Sequence, residues 1–205
     1  MRAAALILAL AAAQAAAQAP HTHEHRFNDA EKWAHVFDDP ARDAWQKPHE
    51  VIEALALAPD AAVADIGAGT GYFSARLARM LPRGTVYAVD LEPDMVKHLH
   101  ARAQREKLAN LVPVRAAPGD ARLPARVDLA LLVNAYHHLE ARSGYFAKLE
   151  ARRVAIVDFR MDSKLGPRAG RVAPETVKRE MAAAGYRLAA EHGFLPNQYF
   201  LVFSR

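Results

Sequence analysis

The amino-acid sequence predicts an α/β fold in which helices cover both faces of a mostly parallel sheet of seven strands. Short apolar runs alternate with stretches of helical periodicity, the pattern of a parallel sheet with helical crossovers. Residues 127–133 are almost continuously apolar, as in a strand buried on both faces. The link from Glu191 to Gln198 is too short for a crossover helix, so the last strand is expected to be antiparallel.

Local patterns set the bounds of the predicted elements. Residues 29–57 are expected to be helical, because Trp33, Val36 and Phe37 form one apolar stripe and Pro48 suits a first helical position. Pro113 predicts an edge strand or a bulge. The predicted strands cover residues 62–66, 85–89, 111–115, 127–133, 154–159, 186–190 and 199–203, and the helices between them cover residues 72–80, 93–107, 143–149 and 174–184.

The composition is that of a globular chain with one core. The 205 residues suit a single domain, and 52% are hydrophobic without an apolar run long enough to span a membrane. The 27 basic residues only slightly exceed the 23 acidic ones and are scattered, so we expect no nucleic-acid partner. Cysteine is absent, which excludes disulfides, a thiolate nucleophile and a cysteine-ligated zinc. The sequence does not indicate an oligomeric state.

The amino terminus has the pattern of a secretory signal peptide. A positive start at Arg2 precedes an alanine-rich apolar stretch, and two Ala-x-Ala patterns end at Ala15 and Ala19. Cleavage after Ala15 is favoured, because cleavage after Ala19 would leave Pro20 first. Residues 1–19 therefore predict export to the periplasm, with no stable membrane anchor after processing. The alternative is an uncleaved leader on a cytoplasmic protein.

Residues 20–28 form a histidine-rich linker ahead of a predicted body at residues 29–205. His21, His23 and His25 are suitable ligand types for a divalent metal. Alternate positions in a linker do not supply convergent geometry, so we expect a polar tail and no metal site.

A glycine-rich loop joins the first predicted strand to the next helix. Gly67, Gly69 and Gly71 follow Asp65, and glycines serve where φ is positive or where a ligand approaches the backbone. The third glycine lies one residue too early for the dinucleotide fingerprint, whose position is taken by Tyr72. The anionic Asp65 suits an ammonium or sulfonium better than a pyrophosphate. The alternative is a tight turn without a ligand.

Acidic residues also follow the next two predicted strands. Asp90 occupies the place where an acidic side chain accepts hydrogen bonds from ribose hydroxyls, or else it caps the helix at Pro93. Asp120 suits an adenine amino group, or else it belongs to an ordinary turn. Because ligands bind outside the carboxyl ends of such strands, Asp65, Asp90 and Asp120 together predict a nucleoside-containing ligand.

From residue 63 to residue 205 the chain resembles the class I S-adenosylmethionine-dependent methyltransferases, whose sheet is Rossmann-like. Residues 65–71 are similar to the first motif of this family, and residues 119–121 to its adenine-side motif. Residues 43–48 and 194–200 are similar to small-molecule enzymes of the ubiquinone and menaquinone biosynthesis type. The resemblance implies S-adenosylmethionine as co-substrate, a small-molecule acceptor, and cofactor-binding roles for Asp65, Gly67, Ala68, Gly69, Gly71, Asp90, Leu91, Asp120, Ala121 and Asn134.

The resemblance also implies that the loop after the fourth strand lines the methyl-transfer site. Tyr136, His137 and His138 are the candidate catalytic residues there, although a base is required only if the acceptor arrives protonated. Alternatively, one histidine packs and the other caps a helix. The absence of cysteine disfavours arsenite and cytosine-C5 methylation, which leaves an aromatic, quinone-like or lipophilic acceptor as the default.

Three structural and functional questions stay open at this level. Trp33, Phe37 and Trp45 either form a helical lid over the cofactor within residues 29–58 or belong to helices docked on the body. A Pro-Gly-Gly-like turn of the family is missing ahead of Val154, which is expected to strain the preceding helix. The other candidate functions are a cofactor-binding protein without turnover, which export would favour, and a nicotinamide-dependent reductase, which the glycine spacing disfavours.

Overall fold

The computed structural model describes residues 27 and 29–205, so the predicted signal peptide and most of the histidine-rich linker lie outside the described residues. The helices in this part of the chain are α1 (Ala30–Phe37), α2 (Asp43–Gln46), α3 (Pro48–Ala54), α4 (Tyr72–Met80), α5 (Pro93–Arg105), α6 (Arg142–Lys148) and α7 (Pro174–Ala183), with 3₁₀ turns at Pro40–Arg42 and Tyr136–His138. The strands are β1 (Ala62–Ile66), β2 (Thr85–Asp90), β3 (Leu111–Arg115), β4 (Val127–Val133), β5 (Ala151–Phe159), β6 (Arg187–His192) and β7 (Gln198–Ser204).

These seven strands form one sheet in the order β3-β2-β1-β4-β5-β7-β6. The pairs from β3 to β5 are parallel, and β7 is antiparallel to both of its neighbours, which confirms the predicted fold class. β1 lies directly beside β4, so the order of the strands reverses between them. The carboxyl ends of β1, β2, β4 and β5 therefore meet at the switch point where ligands of open α/β sheets bind.

Alternate residues of β4 pack into two separate cores, one on each face of the sheet. Leu129 and Leu131 belong to the core that also contains Phe73 of α4, whereas Leu132 belongs to the core that contains Phe146 of α6. All three leucines are fully buried. Burial of each leucine side chain contributes roughly 1.5–3 kcal/mol, so this strand anchors the loop that follows it.

The two edges of the sheet explain its least regular strands. Within the described part of the chain β3 pairs with β2 alone, so Pro113 lies in an edge strand, as its missing N–H group predicted. β6 is the opposite edge, and its register with β7 shifts between Leu188 and Ala190. Among residues 27 and 29–205, no helix combines the length and the apolar character needed to cross a membrane.

The connection from α6 to β5 corrects one expectation. β5 begins at Ala151, earlier than the predicted Val154, because Ala151 pairs with Val127 and Arg153 pairs with Ser204 of β7. Leu149, the helix C-cap, has φ −66° and ψ 121°, which is ordinary extended backbone, and its side chain is buried. The strain expected from the missing turn is therefore absent from these backbone angles.

Candidate active site

The glycine loop connects the end of β1 to α4 across a tight left-handed bend. Gly67, Gly69 and Gly71 all have positive φ angles, of 74°, 56° and 92°. A Cβ atom on Gly67 would lie 2.6 Å from the Cβ of Ala135, which only a glycine avoids. The Gly67 and Ala68 amides donate to the carbonyl of Val89 on the neighbouring strand. The loop is thereby pinned between β2 and the loop after β4.

Asp65 is a buried carboxyl group at the carboxyl end of β1. Only 3% of the residue is exposed, and the Ser74 hydroxyl donates to its Oδ2 at 2.5 Å. Burial raises the pKa of Asp65 to about 6, because the low dielectric disfavours the charged form, while the Ser74 hydrogen bond opposes this shift. Its remaining lone pairs suit a cationic ligand group, which would restore the charged form.

Asp90 lies at the end of β2, beside the glycine loop. Its Oδ2 accepts from the Gly69 amide at 2.7 Å and its Oδ1 accepts from the Glu92 amide at 2.9 Å. Burial raises its pKa, although both amide hydrogen bonds oppose the shift. A carboxylate has further lone pairs, so both the capping role and a role toward ribose hydroxyls are geometrically compatible. Leu91, the next residue, is an exposed apolar side chain.

Asp120 lies in a turn of its own. Its backbone pairs with Ala117, and its Oδ1 accepts from the Arg122 amide at 2.8 Å. The side chain is exposed, whereas Ala121 is buried. The turn that the sequence offered as an alternative is therefore present, and the adenine role of Asp120 stays a prediction.

The loop after β4 places the three candidate catalytic residues in different environments. The His137 Nδ1 lies 2.9 Å and 3.0 Å from the two carboxyl oxygens of Asp158, and the His137 amide also faces this carboxyl group at 3.3 Å. Only 8% of the His137 side chain and 2% of the Asp158 side chain are exposed. His138 is exposed, and its ring centroid lies 4.0 Å from that of His137. His137 and Asp158 therefore form a buried dyad at the ends of β4 and β5.

Tyr136 has a structural environment. The residue is fully buried, its ring stacks on Phe146, and its hydroxyl donates to Glu180 at 2.6 Å. Arg142 also pairs with Glu180, at 2.7 Å. Burial and the bond to Glu180 raise the pKa of Tyr136, so its hydroxyl stays protonated. We therefore leave Tyr136 out of the catalytic set.

The amino-terminal segment covers the glycine loop with aromatic side chains. A Cβ atom on Gly69 would lie 3.3 Å from the Phe37 ring, and Trp33 stacks on Phe37 with ring centroids 5.3 Å apart. Phe27 lies between Phe37 and His138, at 5.6 Å and 5.7 Å. Docking of α1 on the body thus places two of its aromatic rings at the loop.

Two polar contacts among the described residues hold this segment on α5. Trp45, the third aromatic residue of the predicted lid, lies elsewhere. The Asp29 amide donates to Asp94 at 3.1 Å, and Asp38 pairs with Arg102 at 2.9 Å. Trp45 stacks on Phe159 near the end of β5, with ring centroids 5.9 Å apart.

Sequence patterns missed the partners of the acidic and basic groups. Ser74 lies in α4, after the glycine loop, and nothing in the helical periodicity of α4 distinguishes it from a surface serine. Asp158 carried a usable signal, because it is an acidic residue in the run of residues 154–159, which is otherwise apolar and buried. Gln198, whose side chain donates to Asn134 at 2.7 Å, carried no such signal, since polar residues are common where a strand begins.

The comparisons with known proteins agree with this geometry. Residues 63–155 match the family model described as a methyltransferase domain. This match agrees with the sheet order, the glycine loop and the acidic residues at the strand ends. The chain therefore has the Rossmann-like fold of a methyltransferase domain.

Solved structures show how far the likeness in fold extends along this chain. A SAM dependent methyltransferase from Aquifex aeolicus has a TM-score of 0.77 and 21% identity, over 85% of this chain and 97% of that chain. Magnesium protoporphyrin IX methyltransferase from Synechocystis PCC 6803, with bound SAH, has a TM-score of 0.62 and 21% identity, over 88% of this chain and 89% of that chain. The cyclase SpnF has a TM-score of 0.67 and 11% identity, over 79% of this chain and 80% of that chain. No curated protein matches the chain.

Proposed function

We propose that this methyltransferase domain binds S-adenosylmethionine and transfers its methyl group to a hydroxyl group of a small molecule. The observation that carries the proposal is the meeting of Asp65, Asp90 and the His137–Asp158 dyad at the carboxyl ends of four neighbouring strands. The first two groups suit a cationic nucleoside, and the dyad suits a protonated acceptor.

The residues around the loop fit this donor chemically. Asp65 would face the ammonium group and Asp90 the ribose hydroxyls, because both carboxyl groups keep unused lone pairs. Leu91 offers an exposed apolar surface for the adenine ring, whose amino group would reach Asp120. The cofactor-contacting set we propose is Asp65, Gly67, Ala68, Gly69, Gly71, Asp90, Leu91, Asp120 and Ala121; Asn134, also expected in this set, is proposed instead to contact the acceptor.

His137 is the proposed general base. In the neutral tautomer that donates from Nδ1 to Asp158, the Nε2 atom keeps a lone pair for a proton. A lone pair of the acceptor oxygen forms the new C–O bond to the methyl carbon. The bond from this carbon to the sulfonium sulfur breaks at the same time, and both of its electrons go to sulfur, which leaves S-adenosylhomocysteine. The hydroxyl proton passes to His137 Nε2, and Asp158 stabilises the resulting imidazolium. Positioning supplies the rest of the rate, as expected for an in-line displacement.

Calorimetry with S-adenosylmethionine, S-adenosylhomocysteine and NADH tests the proposed ligand class. We expect both sulfur nucleosides to bind and NADH not to bind. Asp90→Ala is expected to lower the affinity for S-adenosylhomocysteine about 100-fold, because two hydrogen bonds to a charged group are worth roughly 1.5 kcal/mol or more each. Asp60→Ala, which removes an exposed carboxylate remote from the loop, should leave the affinity unchanged. Selective binding of NADH, or full affinity in Asp90→Ala, contradicts the assignment.

A second candidate function is use of the same fold without methyl transfer to an acceptor. The likeness in fold to SpnF, described as a cyclase, supports keeping it. It predicts binding of S-adenosylhomocysteine with no transfer of methyl label to any hydroxyl compound.

We also propose that residues 1–19 direct export to the periplasm, on the strength of the Ala-x-Ala patterns. Amino-terminal sequencing of the mature protein decides this question, since an intact Met1 supports the cytoplasmic alternative.

A further inference from the structure

Four polar side chains connect the amino-terminal segment to the loop after β4. Arg42 donates from Nε and Nη2 to Gln46 Oε1, at 3.0 Å and 2.5 Å. Gln46 Nε2 donates to Gln198 Oε1 at 3.3 Å, and Gln198 Nε2 donates to Asn134 Oδ1 at 2.7 Å. Gln46 is 0% exposed and Gln198 is 2% exposed, so water does not replace these partners. The four residues form one hydrogen-bond chain, here called the amide relay.

The direction of the amide relay follows from its first member. A guanidinium group has donors and no acceptor, so Gln46 must present its oxygen to Arg42. The Gln46 nitrogen then faces Gln198, which must offer its oxygen, and the Gln198 nitrogen must face the oxygen of Asn134. Inverting any one amide would oppose two donors or two acceptors in a buried site, which is unfavourable because the groups would be left unpaired.

Arg42 itself is held firmly at the head of the relay. Its guanidinium group lies 4.0 Å from the centroid of the Tyr72 ring, which has Arg76 at the same distance. Its Nη1 atom donates to the Phe37 carbonyl, at the end of α1. Burial lowers the pKa of Arg42, but an arginine remains protonated at neutral pH, so its donor character is permanent.

The relay uses the Asn134 oxygen, and the Asn134 side-chain nitrogen has no hydrogen-bond partner among residues 27 and 29–205. Asn134 follows the end of β4 with a φ of 53°, and its backbone amide donates to Val157 at 2.8 Å. Its side chain is half-buried, and among residues 27 and 29–205 no oxygen accepts from its Nδ2 atom. Two N–H donors of fixed orientation are thus available beside the glycine loop and the His137–Asp158 dyad.

We infer that the amide relay makes Asn134 a specificity-determining donor for the methyl acceptor, which carries a carbonyl or carboxylate oxygen beside the hydroxyl that is methylated. The partly positive N–H groups of Asn134 would interact unfavourably with the cationic sulfonium and ammonium groups of S-adenosylmethionine. Asp65 and Asp90 already suit this ligand. An uncharged hydrophobic phenol would leave the Asn134 donors unpaired when it displaced water. The inference rests on the proposed function for the identity of the reaction, while the polarity of the relay does not depend on it.

Gln46→Glu tests the polarity directly. A carboxylate at this position pairs with Arg42 and only accepts, so Gln198 must invert, and Asn134 must invert after it and donate to Gln198. Selective ¹⁵N labelling of the four asparagines at positions 28, 110, 134 and 197 makes this visible by NMR. In the wild type, the Asn134 side-chain protons are expected to exchange rapidly with solvent. In Gln46→Glu, one of them should be protected at least tenfold.

References within the same molecule keep this experiment interpretable. The Asn110 side chain donates to the carbonyls of Ala78 and Leu81, so its protons should be protected in both proteins and should report intact folding. Gln104→Glu, which adds the same charge at an exposed position of α5, should change neither asparagine. Protected Asn134 protons in the wild type, or unchanged exchange in a folded Gln46→Glu protein, overturns the polarity.

The acceptor class is tested on the complex with S-adenosylhomocysteine. We expect 2-hydroxyacetophenone to bind at least tenfold more tightly than 2-ethylphenol, which lacks the carbonyl oxygen, and to shift the Asn134 side-chain signal. Asn134→Asp keeps the acceptor for Gln198 but replaces the outward donors by an oxygen, so it should abolish this preference without weakening S-adenosylhomocysteine. Equal binding of the two phenols, or binding of neither, overturns the acceptor assignment. Failure of S-adenosylhomocysteine to bind at all instead contradicts the proposed function.

Discussion

Asp65→Asn is expected to stabilise the free protein at neutral pH and to weaken binding of the methyl donor. The carboxyl group is buried, and its pKa in the folded protein is about 6 against an ordinary value of 3.8. Keeping it ionised at pH 7 therefore costs on the order of 3 kcal/mol of folding free energy. Asparagine preserves the shape and can still accept from the Ser74 hydroxyl, so it removes this cost without opening a cavity.

The sign of the pH dependence follows from the raised pKa. Between about pH 4 and pH 6 the folded state binds more protons than the unfolded state, so the free energy of unfolding of the wild type falls as pH rises through this window. Urea unfolding at pH 4.5 and pH 7.5 should show this fall in the wild type and a smaller one in Asp65→Asn. Asp60→Asn, at an exposed position, should behave as the wild type.

Binding is expected to move in the opposite direction. A cationic donor group favours the Asp65 carboxylate, so the affinity of the wild type for S-adenosylhomocysteine should rise roughly tenfold from pH 5 to pH 8 as the group ionises near pH 6. Asp65→Asn should bind at least tenfold more weakly at pH 8 and lose most of this pH dependence. A variant that is less stable than the wild type at pH 7.5, or that binds with full affinity, contradicts the assigned role.

His137→Gln is expected to lower the turnover number about 10²- to 10⁴-fold while leaving the affinity for S-adenosylhomocysteine unchanged. General base catalysis contributes about this much when the acceptor arrives protonated. Asp158→Asn should also reduce turnover, because an amide no longer holds Nδ1 as the donor that leaves Nε2 free. Transfer of labelled methyl from S-adenosylmethionine to a hydroxyl acceptor selected on the S-adenosylhomocysteine complex measures both variants.

Two other histidines make the assignment of the base specific. His49 is exposed on α3, and its pairing with Glu53 is a surface contact, so His49→Gln should retain full turnover. His138 shares the loop with His137 and lies against its ring. If His138→Gln removes turnover while His137→Gln does not, the base is His138 and the dyad with Asp158 is structural.

Local pattern was sufficient for most of the fold. The continuous apolar run of β4 and the alternation of strands and helices predicted a buried parallel sheet, since these features depend on burial and backbone periodicity alone. The short link after Glu191 predicted the antiparallel last strand, because a parallel crossover needs more residues. The start of β5 was misplaced, since the pairing of Ala151 with Val127 is not visible along the chain.

Part of the candidate site was likewise predictable from local sequence, and part of it was not. Asp65, the three glycines and Asp90 were predictable, because each follows its own strand and strand ends share one edge of a parallel sheet. The sequence by itself thus determined the fold class, the glycine loop and the acidic groups around it. Only the tertiary structure decided which histidine has a carboxylate partner, that Tyr136 is buried against Glu180, and that Arg42 orients Asn134 through two buried glutamines. These pairings join residues that are distant in the chain, and a hydrogen bond depends on the positions of two atoms, which the packing of the whole sheet sets.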